Sequence, residues 1–380
     1  MKVAYITTFD ILESPPHEGG VVWSKRNVFL IEQVFGKENV HICAITKHKE
    51  LLSKASGNTV AFFSDRRKIN ILKNCLSNRL QYNKNVESMV LEHIKSLQCD
   101  IVCLDMSRMG FLQKRLPKEI KQILFLCDIE RDYIRDLVRI NPSRFILKRA
   151  FDINENLSVK HSNIIIALNK RDADKLLGYY NRNPDLILPI TMDDTYVEYD
   201  REEKPHPASK LKLLFVGALF PPNEHGLTWF INEVIPRIDA ELVVVGKDFE
   251  KLRSKLQRSN VSIIGTVDGL SQYYHNADAV VAPIFLGAGM KVKTAGNLMY
   301  GKPMFATDEA LEGYEVEGQK NVFRCNSSDE FISAINSFAA NSPYIKFDAD
   351  IRSLFLEKYK TARYIPIVRD LLLNTSTMRK

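Results

Sequence analysis

The sequence predicts an α/β protein built from two doubly wound units, and three observations carry that prediction. Short β-branched runs alternate with longer amphipathic stretches, the pattern of parallel sheets covered by helices. The alternation is interrupted at VEYDREEKPHPASKLK (197–212), which is charged, holds two prolines and lacks apolar periodicity, as a linker does. At 380 residues the chain is also long for a single core.

The elements follow in order. VAYIT (3–7) and VHICAIT (40–46) are short apolar, β-branched runs that read as strands, and VVWSKRNVFLIEQVF (21–35) between them reads as a helix. DIVCLDM (100–106), QILFLCD (122–128), NIIIAL (163–168) and DLILPI (185–190) continue the strand series, with a helical stretch ending near residue 162. After the linker come LKLLFVGAL (211–219), AELVVVG (240–246), VSIIG (261–265), AVVAPI (279–284), KPMFAT (302–307) and NVFRC (321–325). LTWFINEVIPRI (227–238) has apolar positions near three-and-four spacing and reads as a helix, and the last forty residues look helical. Ligands in open α/β sheets lie outside the carboxyl ends of the strands, so two facing sheets would place a ligand cleft between the domains. Fold alone names no reaction.

Composition narrows the classes. Apolar content of 45% and charged content of 26% are those of a soluble globular protein. No stretch reaches the roughly 18 uninterrupted apolar residues of a membrane helix, and MKVAYITTFD lacks the cleavage site of a signal peptide. The six cysteines are scattered, and no His or Cys cluster completes a zinc pattern, so free thiols in a reducing cytoplasm and no metal are expected. A net charge of +7 suits an anionic substrate or membrane surface and is too weak to argue for nucleic acid.

Three glycine-containing loops follow predicted strands. In HEGGVVWSKRN (17–27), Gly19 and Gly20 permit positive φ and close backbone approach, although a bare Gly-Gly equally serves a tight turn. In FVGALFPPNEHG (215–226), Gly217 ends the strand and Pro221-Pro222-Asn223 shape a turn into a helix starting near His225. In GAGMKVKTAGNLMYGKP (287–303), Gly287 and Gly289 precede a helix carrying Lys291 and Lys293. That order meets the needs of a diphosphate: backbone donors, a helix dipole and a mobile positive charge.

The order of these segments resembles the retaining nucleotide-sugar glycosyltransferases of the GT-B fold, in the family-4 group (glycosyl transferases group 1) that builds bacterial surface polysaccharides. The resemblance runs through HSNIIIALNKRDADKL, LLFVGALFPPNEHGLTWFINEVIPRI, AELVVVGK, NVSIIGTVDGLSQYYHNADAVVAPI and GAGMKVKTAGNLMYGKPMFATDEALEGYEV, roughly residues 160 onward. The N-terminal half is similar more loosely, through the Gly-Gly loop and LCDIERDY (126–133).

The resemblance implies two Rossmann-like doubly wound domains facing a central cleft. An acceptor domain would span 1–200 and a nucleotide-sugar domain 201–360, with a helix over 361–380 crossing back to the first. It implies transfer of a sugar, with retention, from a UDP- or GDP-linked donor to a glycan or lipid-linked glycan, without a metal or separate cofactor. The donor would meet Gly217, Asn223 and the stretch Gly287, Ala288, Gly289, Met290, Lys291, Val292 and Lys293, with Lys291 foremost at the departing diphosphate. Gly19 and Gly20 would face it from the other domain. Gly246, Lys247 and Gly265 would border the base and ribose, while Asp128 and Glu130 would take acceptor hydroxyls, Asp128 near the chemistry.

Three positions depart from the family pattern. The ribose-binding glutamate is replaced by Gly296, the usual histidine by Cys127, and the arginine after the strand glycine by Ala218. A helix-interior glycine costs up to about 1 kcal/mol relative to alanine, so Gly296 suggests clearance for a ligand or a backbone. The same losses leave a second reading, a catalytically degenerate GT-B subunit acting as scaffold or chaperone for a partner. Finally, RDLVRINPSRFILKRAF (135–151) mixes cations with apolar residues, as an ordinary solvated helix face or a peripheral contact at the inner face of a membrane would.

Overall fold

Both halves of the chain form all-parallel sheets whose central strands are buried on both faces, which is why those strands read as continuous apolar runs. The computed structural model describes residues 1–16, 18–198, 210–341 and 345–374, so the middle of the expected linker and the last residues of the C-terminal tail lie outside the described residues. The first sheet contains β1 (Val3–Thr7), β2 (Val40–Thr46), β3 (Thr59–Phe63), β4 (Ile101–Asp105), β5 (Lys121–Leu126), β6 (Ile164–Ala167) and β7 (Leu186–Ile187), in the order β3-β2-β1-β4-β5-β6-β7. The second contains β8 (Leu211–Val216), β9 (Ala240–Val245), β10 (Val261–Gly265), β11 (Ala279–Ala282), β12 (Met304–Ala306) and β13 (Val322–Arg324), in the order β10-β9-β8-β11-β12-β13. Each sheet reverses its winding once, between β1 and β4 and between β8 and β11. Those are the crevices where such sheets bind ligands.

Three elements differ from the sequence reading. β3 was not anticipated; VAFF (60–63) is an apolar run, but at this edge only Phe62 of TVAFF is buried. The expected strand 185–190 keeps only two paired residues on the opposite edge. The helix expected from 227 begins at Pro221, with Pro221 and Pro222 in its first turn, where a missing N–H costs nothing. The expected turn is thus the start of the helix.

The domains touch at the carboxyl ends of their strands and along the C-terminal segment. Residues of both sheets, Tyr5 and Phe125 with Phe215 and Phe305, belong to one continuous apolar core. The helix Ile365–Asn374 packs on the helix Gly19–Phe35, where the Arg369 guanidinium donates to the Gln33 carbonyl at 3.0 Å. Arg352 binds the Asp194 carboxylate at 2.6 Å and lies 4.7 Å from the Tyr196 ring.

The helix Pro221–Glu233 crosses the β11 end so closely that a β-carbon on Gly226 would lie 1.7 Å from the Pro283 carbonyl oxygen. The obstacle is backbone, so Gly226→Ala should lower stability by at least about 2 kcal/mol in urea unfolding. A change below about 0.5 kcal/mol would refute this account of the packing.

Candidate functional site

The second domain supplies one wall of the site at its winding reversal. The chain leaves β11 and passes through Gly287 (φ 124°) and Gly289 (φ 65°), backbone angles that favour glycine. At Gly289 a side chain is excluded twice, since a β-carbon would also lie 2.3 Å from the Cys127 carbonyl oxygen of the first domain. The helix begins at Val292 with Lys291 as its N-cap, one turn position later than the sequence suggests for Lys291. The helix start has no side-chain cap, and the Thr294 amide donates to the Lys291 carbonyl at 2.9 Å. Ala288 lends its carbonyl to Lys291 Nζ (3.3 Å), and Met290 is buried against Gly313.

The two lysines have different fates. Lys291 Nζ donates to the Gly289 carbonyl (2.7 Å) and pairs with Glu309 (2.7 Å), while the Tyr314 hydroxyl donates to the Lys291 carbonyl (2.8 Å). Glu309 in turn pairs with Arg171 of the first domain at 2.6 Å. Burial alone would raise the Glu309 carboxyl, but Lys291 and Arg171 hold it below its ordinary value. Lys293 lies deeper. Its Nζ donates to Asn223 Oδ1 (2.7 Å), lies 4.3 Å from the centre of the Phe215 ring, and has no carboxylate partner among the described residues. Burial, and after it the charge on Lys291, brings the Lys293 ammonium down to about 7. Asn223 is fixed by donating to the Ala218 carbonyl at 2.8 Å. A β-carbon on Gly217 would crowd Lys293 Nζ to 2.9 Å.

Gly246, Lys247 and Gly265 occupy the ends of β9 and β10. The Gly246 amide donates to the Gly265 carbonyl (2.8 Å), and Glu250 packs where a Gly265 side chain would stand. Lys247 crosses the cleft to Glu13 (2.7 Å) and Glu18 (3.0 Å) of the loop after β1. Sequence reasoning placed it beside the nucleotide, and here it clamps the domains.

The first domain supplies the other wall. Gly19 and Gly20 form the first turn of the helix Gly19–Phe35, which corrects the positive-φ expectation. Their bareness serves packing instead: a Gly20 β-carbon would lie 2.1 Å from the Phe9 ring, and one on Gly19 would touch Val292 at 3.3 Å across the cleft. Asp128 is buried beside Gly289, and its Oδ1 has no hydrogen-bond partner. Burial, then the nearby Glu130 carboxylate, pushes the Asp128 carboxyl well above the usual range, against Arg108 and Lys291. It caps no helix, because Ile129 is the N-cap and its first-turn neighbour is Glu130. Glu130 is committed to Arg108 at 2.6 Å, inside a buried acidic group with Asp132, Glu155 and Asp172. Arg108 holds its Oε1, while its Oε2, like Asp128 Oδ1, has no hydrogen-bond partner among the described residues.

Gly296 is buried within its own domain, where a β-carbon would come to 3.1 Å from the Tyr274 hydroxyl. Tyr274 is stacked on Tyr300 with ring centres 4.3 Å apart and donates to Asn297 Oδ1 at 2.9 Å. The clearance at Gly296 therefore accommodates a tyrosine of the same domain. Glu309, Arg171, Arg108, Glu13, Glu18 and Tyr274 went unread in the sequence. Each acts through a partner from a distant segment, and no local motif marks such pairs. Among the described residues no group of three or more His, Cys, Asp or Glu is placed to hold a metal ion. All six cysteines are free, with Cys75 and Cys127 half-buried and the rest buried.

The fold is shared with known proteins. Residues 210–341 match the model of the family described as Glycosyl transferases group 1. A search of curated proteins returns no significant match. Sucrose-phosphate synthase from Thermosynechococcus elongatus has a similar structure, with a TM-score of 0.77 at 11% identity over 100% of both chains. Anabaena HepE, in complex with UDP and glucose, is similar at TM-score 0.69 and 13% identity, over 98% of this chain and 100% of that one. A mutant of S. aureus TarM, in complex with fondaparinux, alpha-GlcNAc-glycerol and UDP, is similar at TM-score 0.66 and 10% identity, over 98% and 99%. The chain has the GT-B glycosyltransferase fold, and its second domain carries the group 1 signature.

The Arg171–Glu309–Lys291 chain is shared between domains, so its members should not act independently. A double-mutant cycle of Arg171→Ala and Glu309→Ala should give a coupling energy of about 1 kcal/mol or more in urea unfolding. Additive effects would show that the two groups do not interact in solution.

Proposed function

We propose that this protein is a retaining glycosyltransferase that moves a sugar from a nucleotide-diphosphate donor to a glycan or lipid-linked glycan acceptor. The observation that carries the reading is Lys293. It is a half-buried lysine without a carboxylate partner among the described residues, placed at the winding reversal of the second sheet beside a helix start that has no side-chain cap. A desolvated cation with no counter-ion is costly unless an anion arrives, and a diphosphate is the anion that the neighbouring amides also suit. The likeness to HepE and TarM, whose structures contain UDP, supports a uridine donor, and TarM's alpha-GlcNAc-glycerol supports a glycan-like acceptor.

The residues divide the work by their partners. As the glycosidic bond to the diphosphate breaks, negative charge grows on the leaving phosphate, and Lys293 with the 292 and 293 amides stabilises it. Lys291, already engaged by Glu309, orients the loop 287–291. The donor's own phosphate takes the acceptor proton, so no strong protein base is required. Asp128, whose carboxyl is pushed toward its neutral form by burial, stands beside that loop and hydrogen-bonds a hydroxyl of the sugar or acceptor. No metal or separate cofactor enters this scheme, because the lysine and the amides supply the positive charge.

Donor binding should depend on pH through Lys293. The free ammonium titrates at about 7, and a bound diphosphate favours its charged form. Above that value binding must take up a proton, so affinity for a nucleotide sugar should fall as pH rises from about 7 to 9, by up to tenfold per unit. Below it, binding should be flat. Without ligand the sign is opposite: between about 7 and the ordinary lysine value of 10.5, the unfolded chain holds more protons, so stability rises with pH. In a calorimetric screen of UDP- and GDP-sugars, Lys293→Met should lose at least about thirtyfold in affinity along with the pH dependence. Absence of binding to any nucleotide sugar by the unaltered protein would favour the scaffold reading instead.

Asp128→Asn should separate binding from chemistry. It should leave donor affinity within about threefold while lowering transfer by about 10²-fold or more, the size of a lost transition-state hydrogen bond. Equal losses in both would make Asp128 a binding residue.

A further inference from the structure

The first domain carries a second surface, remote in sequence from the cleft loops. The helix Lys68–Leu76 packs against the helix Phe145–His161 over a small core of Leu80, Ile134, Leu137, Ala150 and Phe151. On the outside of this pair the apolar residues point to solvent. Ile69, Leu72 and Leu76 fall three and four apart on one helix, with Leu76 87% exposed. Phe145 and Ile146 open the other, with Phe145 70% exposed. Scattered exposed apolar residues are ordinary, but five large ones on two touching helices form a patch.

The charge around the patch has one sign. No acid occurs from Arg66 to Val86 or from Leu137 to Phe151, while Lys68, Lys73, Arg139, Lys148 and Arg149 are exposed there. The flanking acids Asp136 and Asp152 are occupied by Arg139 (3.3 Å) and Lys148 (2.8 Å). Interfaces between proteins are depleted in lysine at their centres. Apolar side chains ringed by lysine and arginine instead match a surface that is apolar below and anionic above, which is a bilayer of acidic lipids. No helix among the described residues is long and apolar enough to cross a membrane, so the contact is peripheral.

We propose that the helices Lys68–Leu76 and Phe145–His161 form a docking face for an anionic lipid surface, the apolar residues entering the headgroup boundary and the basic residues meeting the lipid phosphates. This goes beyond the transfer reading and does not depend on it. The helix Glu130–Ile140 runs from the cleft residue Glu130 toward this face, so docking would hold the first domain, with its buried Asp128, close to the membrane.

The test is co-sedimentation of the full chain with phosphatidylcholine vesicles, with and without phosphatidylglycerol. Neither donor nor acceptor is present, so the result stands apart from that of the donor-binding screen. The chain should bind the anionic vesicles, and about 1 M salt should release most of it. Lys73→Ala with Arg149→Ala should cost roughly 25-fold in partitioning, about fivefold per basic residue. Leu76→Ser with Phe145→Ser should cost about tenfold or more, with nucleotide-sugar binding and melting temperature unchanged. Equal binding to neutral and anionic vesicles, or wild-type partitioning in both double variants, would overturn the proposal. So would a dimer in size-exclusion chromatography that the Leu76→Ser, Phe145→Ser variant converts to monomer, which would assign the face to a second copy of the chain.

Discussion

At Gly289 the backbone of the second domain meets the backbone of the first, and the Cys127 carbonyl occupies the place of a side chain. Much of the site depends on that contact. It buries Asp128 and removes its carboxyl from water, which drives the carboxyl toward its neutral form. It brings Lys291 and Glu309 within reach of Arg171, tying the loop 287–291 to the opposite domain. It also stands next to the start of the helix at Val292, which has no side-chain cap.

The electrostatics around this contact are sorted by depth and partner. Of the cations that clamp the domains, Lys247 is matched by two carboxylates and Arg171 by three. Lys291 is matched by one. Lys293 is matched by none and loses its charge most readily. On the other wall, Glu130 is paired by Arg108, whose guanidinium also lies over the Tyr133 and Phe151 rings at 5.3 and 5.4 Å, and Asp132 by Lys175 and Arg135 at 2.6 and 2.9 Å. That sorting distinguishes groups that hold the protein together from groups left for a ligand. Residue types alone do not make the distinction.

The departures from the family pattern acquire physical causes in the same way. Gly296 is bare because Tyr274 stands 3.1 Å from where its β-carbon would be, and the tyrosine is itself fixed by Asn297 and Tyr300. Cys127 contributes its carbonyl to the domain contact, and its thiol is pushed up by burial, away from reactivity. Glu130 resembles a site acid in sequence, and Arg108 pairs with one of its oxygens.

The sequence by itself determined the two parallel sheets and nearly all of their strands, and it singled out the stretch 287–293 as a candidate place for an anion. Strands buried on both faces and glycines next to lysines are local patterns, legible without knowing what lies opposite. Edge strand β3 went unread although VAFF is an apolar run; at the sheet edge only its Phe62 is buried. Only the tertiary structure decided which lysine is free, which acid is neutral and what Gly296 makes room for. Each of those properties is set by a group many residues away: Glu309 beside Lys291, Gly289 over Asp128, Tyr274 under Gly296. Charge and protonation depend on the surroundings of a side chain, and folding creates those surroundings.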